Sequence, residues 1–307
     1  VSSTIAKSIL SAAACAAIML CGPATAQRQP TLADRVATAT DPQGTALAAH
    51  YQQMEQRLMT QGRLRTDRRA GLETLDATTL ASHFATIALQ SEYSMSSGSM
   101  RAGGATPLRR WEQPVRLGVQ FGESIPQAQQ RADMAAINDI AERLQTASGH
   151  SVTVTTSNPN FHVLVVSDVE RADSAPLLRQ LVPGLSNNAI NAITGMGRNT
   201  RCIVLAWPDP DPTRGYVNAV AVVRAEHPPR IRRACMEEEL AQGMGLANDD
   251  DDVWPSIFND DEEFGVLTRH DELLLQMLYH RSLQSGMRGG QIAPVIAQIA
   301  AQVLGSS

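Results

Sequence analysis

Lysine is all but missing: Lys7 is the only one in 307 residues, and arginine supplies the rest of the positive charge. A GC-rich genome produces the same bias, so no function is read from it. Aromatic residues are scarce at 4%. With the arginines scattered and the acidity concentrated, that scarcity disfavours a nucleic-acid-binding surface. Four cysteines are too few for a disulfide-dense miniature fold. Beyond the N-terminus no apolar run approaches the roughly 18 residues that mark a membrane-spanning helix. None of the seven histidines (His50, His83, His150, His162, His227, His270, His280) has a second one four positions away, which excludes an H-x-x-x-H zinc pair. What remains is a 43% hydrophobic chain, long enough for one large domain or two ordinary ones with a sizeable core. It is neither disordered nor collagen-like.

The net charge of −5 is unevenly spread. Residues 237–272 hold 13 acids against one base, Arg269, while the rest of the chain holds 18 acids and 25 bases. A mildly basic protein therefore carries one concentrated acidic segment. Within it, two acidic runs, 249–252 and 260–263, bracket the apolar stretch 253–258. The simplest reading is a solvated loop anchored by those apolar residues and kept soluble by charge. The functional reading is attraction of Ca²⁺ or of a cationic partner. The spacing is not that of an EF-hand, whose glycine and twelfth-position glutamate are absent.

At the N-terminus Lys7 precedes an apolar run over residues 9–21, and Ala24-Thr25-Ala26 supplies the small-x-small pattern that a signal peptidase cuts, between Ala26 and Gln27. Residues 1–26 are thus expected to be a signal peptide, and the mature protein periplasmic or secreted. A lipoprotein is not expected. Leu20 precedes Cys21 where a lipobox needs a small residue, and Cys15 would leave almost no apolar region. Cleavage leaves Cys202, on a strand pattern, and Cys235, on a helix pattern. Two cysteines in an oxidising compartment allow one disulfide. It would close a loop of about 34 residues, worth roughly 3–4 kcal/mol on the chain-entropy model. A nucleophilic cysteine is disfavoured, because no histidine stands in a recognisable catalytic pattern beside either one.

The mature chain divides in two. Residues 27–93 read as helical, with helices over 45–59 and 76–92 joined by an arginine-rich stretch at 62–69, and residues 94–106 read as a Ser/Gly-rich linker. Residues 107–290 form the main domain. Val115, Leu117, Val119 and Phe121 alternate as a half-buried strand does. A helix follows over 127–146, then strands at 151–155 and 161–167. An irregular insertion over 168–200 carries two short helices, and strands resume at 201–206 and 216–224. Next come a helix over 233–246, the acidic loop, and a helix over 270–283. A tail helix over 292–304 lies within residues 291–307. The order predicts an α+β or α/β domain.

The chemistry-bearing constellation is Glu238-Glu239-Leu-Ala-Gln242-Gly-Met-Gly245-Leu-Ala-Asn248-Asp249. On a helix Glu238 and Gln242 share a face. Gly245 can end the helix in the left-handed region, so that Asn248 or Asp249 swings back. This spacing resembles the H-E-x-x-H-x-x-G-x-x-H-D signature of metzincin zinc peptidases. All three histidines are replaced, by Glu238, Gln242 and Asn248, while the glutamate in the general-base position (Glu239), the glycine and the trailing Asp249 remain. Ser256, Ile257 and Phe258 fall where that family has its Met-turn. Leu267-Thr268-x-x-Asp271, with Leu274, Gln276 and Leu278-Tyr279, resembles its C-terminal helix, and the upstream order of strands and helix is similar too. The resemblance implies a zincin-like α+β domain, with a mixed sheet, an active-site-type helix and a closing helix, preceded by a small helical region.

More closely, the chain resembles a bacterial family of exported proteins, domain of unknown function 2927. The matching stretches are 62–67, 87–93, Arg110-Trp111-Glu-Gln-Pro-Val115, Cys235 with Glu238-Glu239-Leu-Ala-Gln242, 256–260 and Gly286-Met287, which together span roughly residues 45–290. That likeness implies a shared fold and envelope location and no known activity. Many members resemble lipoproteins; this chain departs in lacking a lipobox.

The altered ligand set suits zinc poorly, because neutral amide oxygens bind it weakly. Glu238, Gln242, Asn248 and Asp249 suit Ca²⁺ better, and a metal-free, hydrogen-bonded face is the default. His270 and His280 lie on the closing-helix pattern and read as solvated. The function expected is a non-catalytic protein that binds a peptide or an envelope partner. The alternatives are a divergent metal-dependent hydrolase with Glu239 as general base, and a purely structural envelope module.

Overall fold

The structure, a computed structural model, describes residues 42–91, 93–96, 99–259 and 261–305. The expected signal segment and its Ala26–Gln27 cleavage site lie outside the described residues. Helix α1 (Pro42–Thr60) leads through a 3₁₀ turn at Leu72–Thr74 to α2 (Ala77–Ala88). The Asp76 carboxylate accepts the Thr79 N–H at 2.8 Å and so caps an otherwise unsatisfied helix start. Leu80, Phe84 and Ile87 make the fully buried face of α2.

The stretch expected to be a linker instead contains an antiparallel hairpin, β1 (Tyr93–Ser96) with β2 (Ser99–Ala102). Serines that read as flexible alternate there with Tyr93, Met95 and Met100, a period of two that suits a ladder.

A mixed five-stranded sheet follows, in the order β4–β3–β5–β7–β6. Its strands are β3 (Val115–Phe121), β4 (Val152–Val154), β5 (Phe161–Val166), β6 (Cys202–Pro208) and β7 (Tyr216–Arg224). β3, β4, β5 and β7 are parallel; β6 runs antiparallel to β7 at the edge. The long helix α3 (Gln127–Ser148) makes the crossover between β3 and β4, which a parallel pair requires.

β5 is buried along its whole length, as expected of a strand covered on both faces. Phe161, Val163 and Val165 join Ala219, Ala221 and Val223 in the main core under α2, α3 and the C-terminal helices. Leu164, Val166, Val220 and Val222 face the other way, onto Leu178, Ile190 and Ile193. Those three belong to the insertion, which holds three short helices, not two: α4 (Asp168–Ala172), α5 (Ala175–Leu181) and α6 (Asn187–Thr194). The extra one is a single turn whose start is made by a capping box between Ser167 and Glu170.

Helix α7 (Pro229–Met244) begins four residues earlier than the apolar pattern suggested. Proline in the first turn lacks only an N–H that would be orphaned anyway. α8 (Arg269–Leu278) stops short of the expected end, and α9 (Gly289–Gly305) closes the fold. Among the described residues no helix is long and apolar enough to cross a membrane.

Cys202 on β6 and Cys235 on α7 are bonded, their Cα atoms 5.8 Å apart. Replacing both by serine is expected to lower stability by about 3 kcal/mol, read from the urea unfolding midpoint. A midpoint shift worth under about 1 kcal/mol would show that the sheet and helix pack independently of the bond.

Candidate functional site

Helix α7 carries the motif, and its interior half is polar in an unusual way. Glu237, Glu239 and Gln242 are all buried, with Glu237 at 0% exposure. The helix can sit this deep because its last turn is trimmed to fit. A Cβ on Gly243 would stand 2.3 Å from the Phe161 ring, and one on Gly245, where φ is 124°, would stand 2.2 Å from the Arg109 carbonyl oxygen. Trp111, wholly buried, donates its indole N–H to the Gly243 carbonyl at 2.8 Å and stacks on Phe161.

Past Gly245 the chain turns back. The Gln242 amide donates to both carboxylate oxygens of Asp249, at 2.8 and 3.0 Å. Asn248 is buried beside this pair in sequence. The turn at Ser256, Ile257 and Phe258 is pinned onto the start of α8 by Asp271. That carboxylate accepts from the Ser256 hydroxyl at 2.6 Å, the Ile257 N–H at 3.1 Å and the Thr268 N–H at 2.7 Å. Thr268 returns a cap to the Asp271 N–H, completing a capping box. The Thr268-x-x-Asp271 pattern thus has a structural cause in this chain.

Arg201, one residue before the bonded Cys202, brings a guanidinium to the same place. It pairs with Glu262 and lies within electrostatic reach of Glu238 and Glu239. Burial works against its charge, but the three carboxylates outweigh that and hold its pKa above the ordinary value. A small cleft is lined by Arg201, Glu238 and Glu262 and walled by Leu64, Ile231, Ile257 and Phe264.

Three further carboxylates of the acidic segment, Glu237, Glu263 and Glu272, are likewise answered from within the chain. Arg68 makes a two-pronged pair with Glu237, both contacts at 2.9 Å, and Arg233 binds the same carboxylate at 2.8 Å. Arg65 pairs with Glu263, and Arg143 and Arg269 with Glu272. The main chain joins in: Leu64 N–H donates to the Glu262 carbonyl at 2.9 Å and Arg65 N–H to that of Glu263 at 2.7 Å. The solvated-loop reading holds at the tip, where Asp251 and Asp252 are exposed, while Glu262 and Glu263 are drawn into pairs with arginines. The arginine-rich stretch near residue 65 is its docked counterpart.

The profile of a family described as a protein of unknown function, DUF2927, matches residues 77–298. The chain belongs to that family. The match takes in the whole five-stranded sheet, α7, α8 and the motif, and starts after the stretch at 62–67. No curated protein and no solved structure matches this DUF2927 chain.

The residues present do not fit the zinc that the metzincin spacing implies. Two of the three ligand positions, Gln242 and Asn248, are neutral amides, and Gln242 turns its N–H toward Asp249. A guanidinium already supplies positive charge beside Glu238 and Glu239. Among the described residues, no three His, Cys, Asp or Glu side chains cluster closely enough to hold an ion.

Two groups of this DUF2927 protein were not foreseen. Arg201 could have been placed from its neighbour: a Cys202–Cys235 bond obliges residue 201 to lie near α7. The second is a histidine pair, His83 on α2 and His270 on α8, with ring nitrogens 2.9 Å apart. His270 was expected to be solvated and is fully buried instead, because the first turn of α8 packs under α2. Burial, reinforced by the neighbouring His270 ring, lowers the His83 pKa to about 4, against a smaller opposing effect of Asp250.

Proposed function

We propose that this DUF2927 protein is an exported, non-catalytic binding module on a zincin-like frame, and that it receives an extended peptide segment of an envelope partner along β6. The observation carrying this reading is the position of β6. It is the sheet's edge, next to the motif helix, and no strand pairs with its outer side among the described residues. An open edge offers backbone donors and acceptors to an incoming strand. The motif's spacing, the order of strands and helix, and the pinned turn at 256–258 support the zincin-like frame. Replacement of all three histidine positions supports the absence of hydrolysis.

The test combines an activity assay with a binding assay on the purified mature protein. Incubated with a diverse peptide library and added Zn²⁺ or Ca²⁺, it is expected to cleave nothing while retaining a subset of extended peptides. Metal-dependent cleavage abolished by Glu239→Ala would establish the hydrolase reading in its place. Retention of no peptide at all would leave a structural envelope module.

A further inference from the structure

We propose that the indole face of Trp254, beside Asp251 and Asp252, is a docking surface for a basic segment of a protein partner, which lays an arginine or lysine side chain on the ring. The chain has three tryptophans. Trp111 is wholly buried and Trp207 half-buried, whereas Trp254 is 42% exposed. It stands in an apolar run whose other members, Val253, Pro255, Ile257 and Phe258, are all buried. Its exposure is held in place from two sides. The indole N–H donates to the Glu263 carboxylate at 3.0 Å. The far edge of the ring rests on Gly71, where φ is 68° and a Cβ would stand 2.4 Å from Cζ3. With both edges seated, the part of the ring left to solvent is its face.

That face is the negative side of the aromatic quadrupole, and it attracts a cation placed over it. Among the described residues, guanidiniums lie over the Phe264 and Tyr279 rings and none over Trp254. Arg65, which pairs with the same Glu263, is turned onto Phe264, 4.8 Å from the ring centroid. The neighbouring charges point to the same chemistry. Asp251 and Asp252 are exposed, and neither makes an ion pair among the described residues. Their position is fixed, because the buried Asn259 amide donates to the Asp251 carbonyl at 2.8 Å. A single small cation would engage the ring alone. A basic segment engages the ring with one side chain and the two carboxylates with its neighbours, and a pre-seated tryptophan is the kind of anchor on which interfaces concentrate their energy.

This surface is independent of β6, and peptides held at that edge should not respond to substitution of Trp254. The test titrates the purified mature protein with a fluorescently labelled hexapeptide of alternating glycine and arginine, followed by anisotropy at low salt. The same peptide with glutamine in place of arginine is the control. The wild type is expected to bind the arginine peptide and not the glutamine one. Trp254→Leu, which keeps an apolar side chain but removes the ring, should weaken binding about fivefold. Asp251→Asn combined with Asp252→Asn should weaken it as well and flatten its dependence on salt. Because those two side chains lie at the exposed tip, this second variant keeps the test decisive even if Trp254→Leu disturbs the loop. Equal binding of both peptides, binding of neither, or full-strength binding by Trp254→Leu overturns the inference. It is also overturned if phosphatidylcholine vesicles bind where the arginine peptide does not, or if the wild type forms a dimer that Trp254→Leu dissolves, since the face then belongs to a lipid headgroup or to a second copy of the chain.

Discussion

Lowering the pH from 7 to 5 is expected to cost this protein about 2 kcal/mol of stability through His227 alone. The His227 pKa falls from an ordinary 6.5 to about 3, chiefly because the ring is buried, and the charges of Arg201, Arg224 and Arg232 push the same way. The geometry explains the direction. Nε2 must carry the proton it donates to the Arg201 carbonyl, which leaves Nδ1 as a buried acceptor with no hydrogen-bond partner among the described residues. A second proton there would be an unpaired buried charge facing three arginines.

The unfolded chain has no such constraint and protonates below pH 6.5. A folded pKa depressed below the unfolded one therefore gives stability that is full above 6.5 and is lost as pH falls toward about 3. His83 acts in the same sense with a folded pKa of about 4. Being half buried, it contributes about half as much as its shift alone would give. Burial also lowers His150 and His162. The carboxylates whose pKa values are lowered, such as Asp168 and Glu170, lose stability only below about pH 4, so the histidine window stands apart. Urea midpoints measured at pH 7, 6 and 5 should fall steadily, and His227→Asn should flatten that slope. A midpoint constant down to pH 5 would mean that the buried rings charge without penalty.

Substituting Glu237→Ala should lower stability by about 3–5 kcal/mol, the range for breaking a buried ion pair by removing one partner. Burial raises the Glu237 pKa despite the opposing Leu267 N–H and Arg233, so the carboxylate depends on its partners to stay charged. It receives both prongs of Arg68, the Arg233 Nε, and the Leu267 N–H at 2.7 Å. Removing it leaves the Leu267 N–H without its acceptor, reduces Arg68 to the Leu267 carbonyl and Arg233 to Asp139, and loosens the hold of the 62–69 segment on α7. Denaturant unfolding measures the loss, and proteolysis near Arg68 should accelerate with it. If the midpoint moved by under about 1 kcal/mol, the segment would be held by the burial of Leu64 instead of by charge. Glu237→Gln should cost less than alanine, since one acceptor survives, but should still weaken the Arg68 fork.

These expectations come from residues that the sequence displayed without revealing their partners. Glu237 was counted among 13 acids as part of a run; nothing local marked it as the fully buried member. Trp111 lies in a stretch matched to the family, yet its hydrogen bond to the Gly243 carbonyl joins positions 132 residues apart. The histidine pair links residues 187 apart, and its two members sit on helices whose patterns were legible separately. The short insertion helix was missed because a single turn gives too little periodicity to detect. The start of α7 was missed because its first turn, Pro229-Arg-Ile-Arg232, holds one apolar residue.

Alternation, helical period, caps and cysteine number act over a few residues, and they were enough to establish the strands and main helices, the Cys202–Cys235 bond and the α+β class. Charge pairing acts through space across the folded chain. The arginines near 65, Arg143 and Arg201 therefore found their carboxylates only once the sheet, α7 and the acidic loop were placed together. The scarcity of lysine acquires a physical consequence in that light. Each of these internal pairs uses a planar, permanently charged guanidinium, which suits two-pronged and half-buried contacts better than an ammonium does. Within the concentration of acid that looked like a surface for an outside cation, Glu237, Glu262, Glu263 and Glu272 are paired from inside, because tertiary packing brings in the cations that sequence distance conceals.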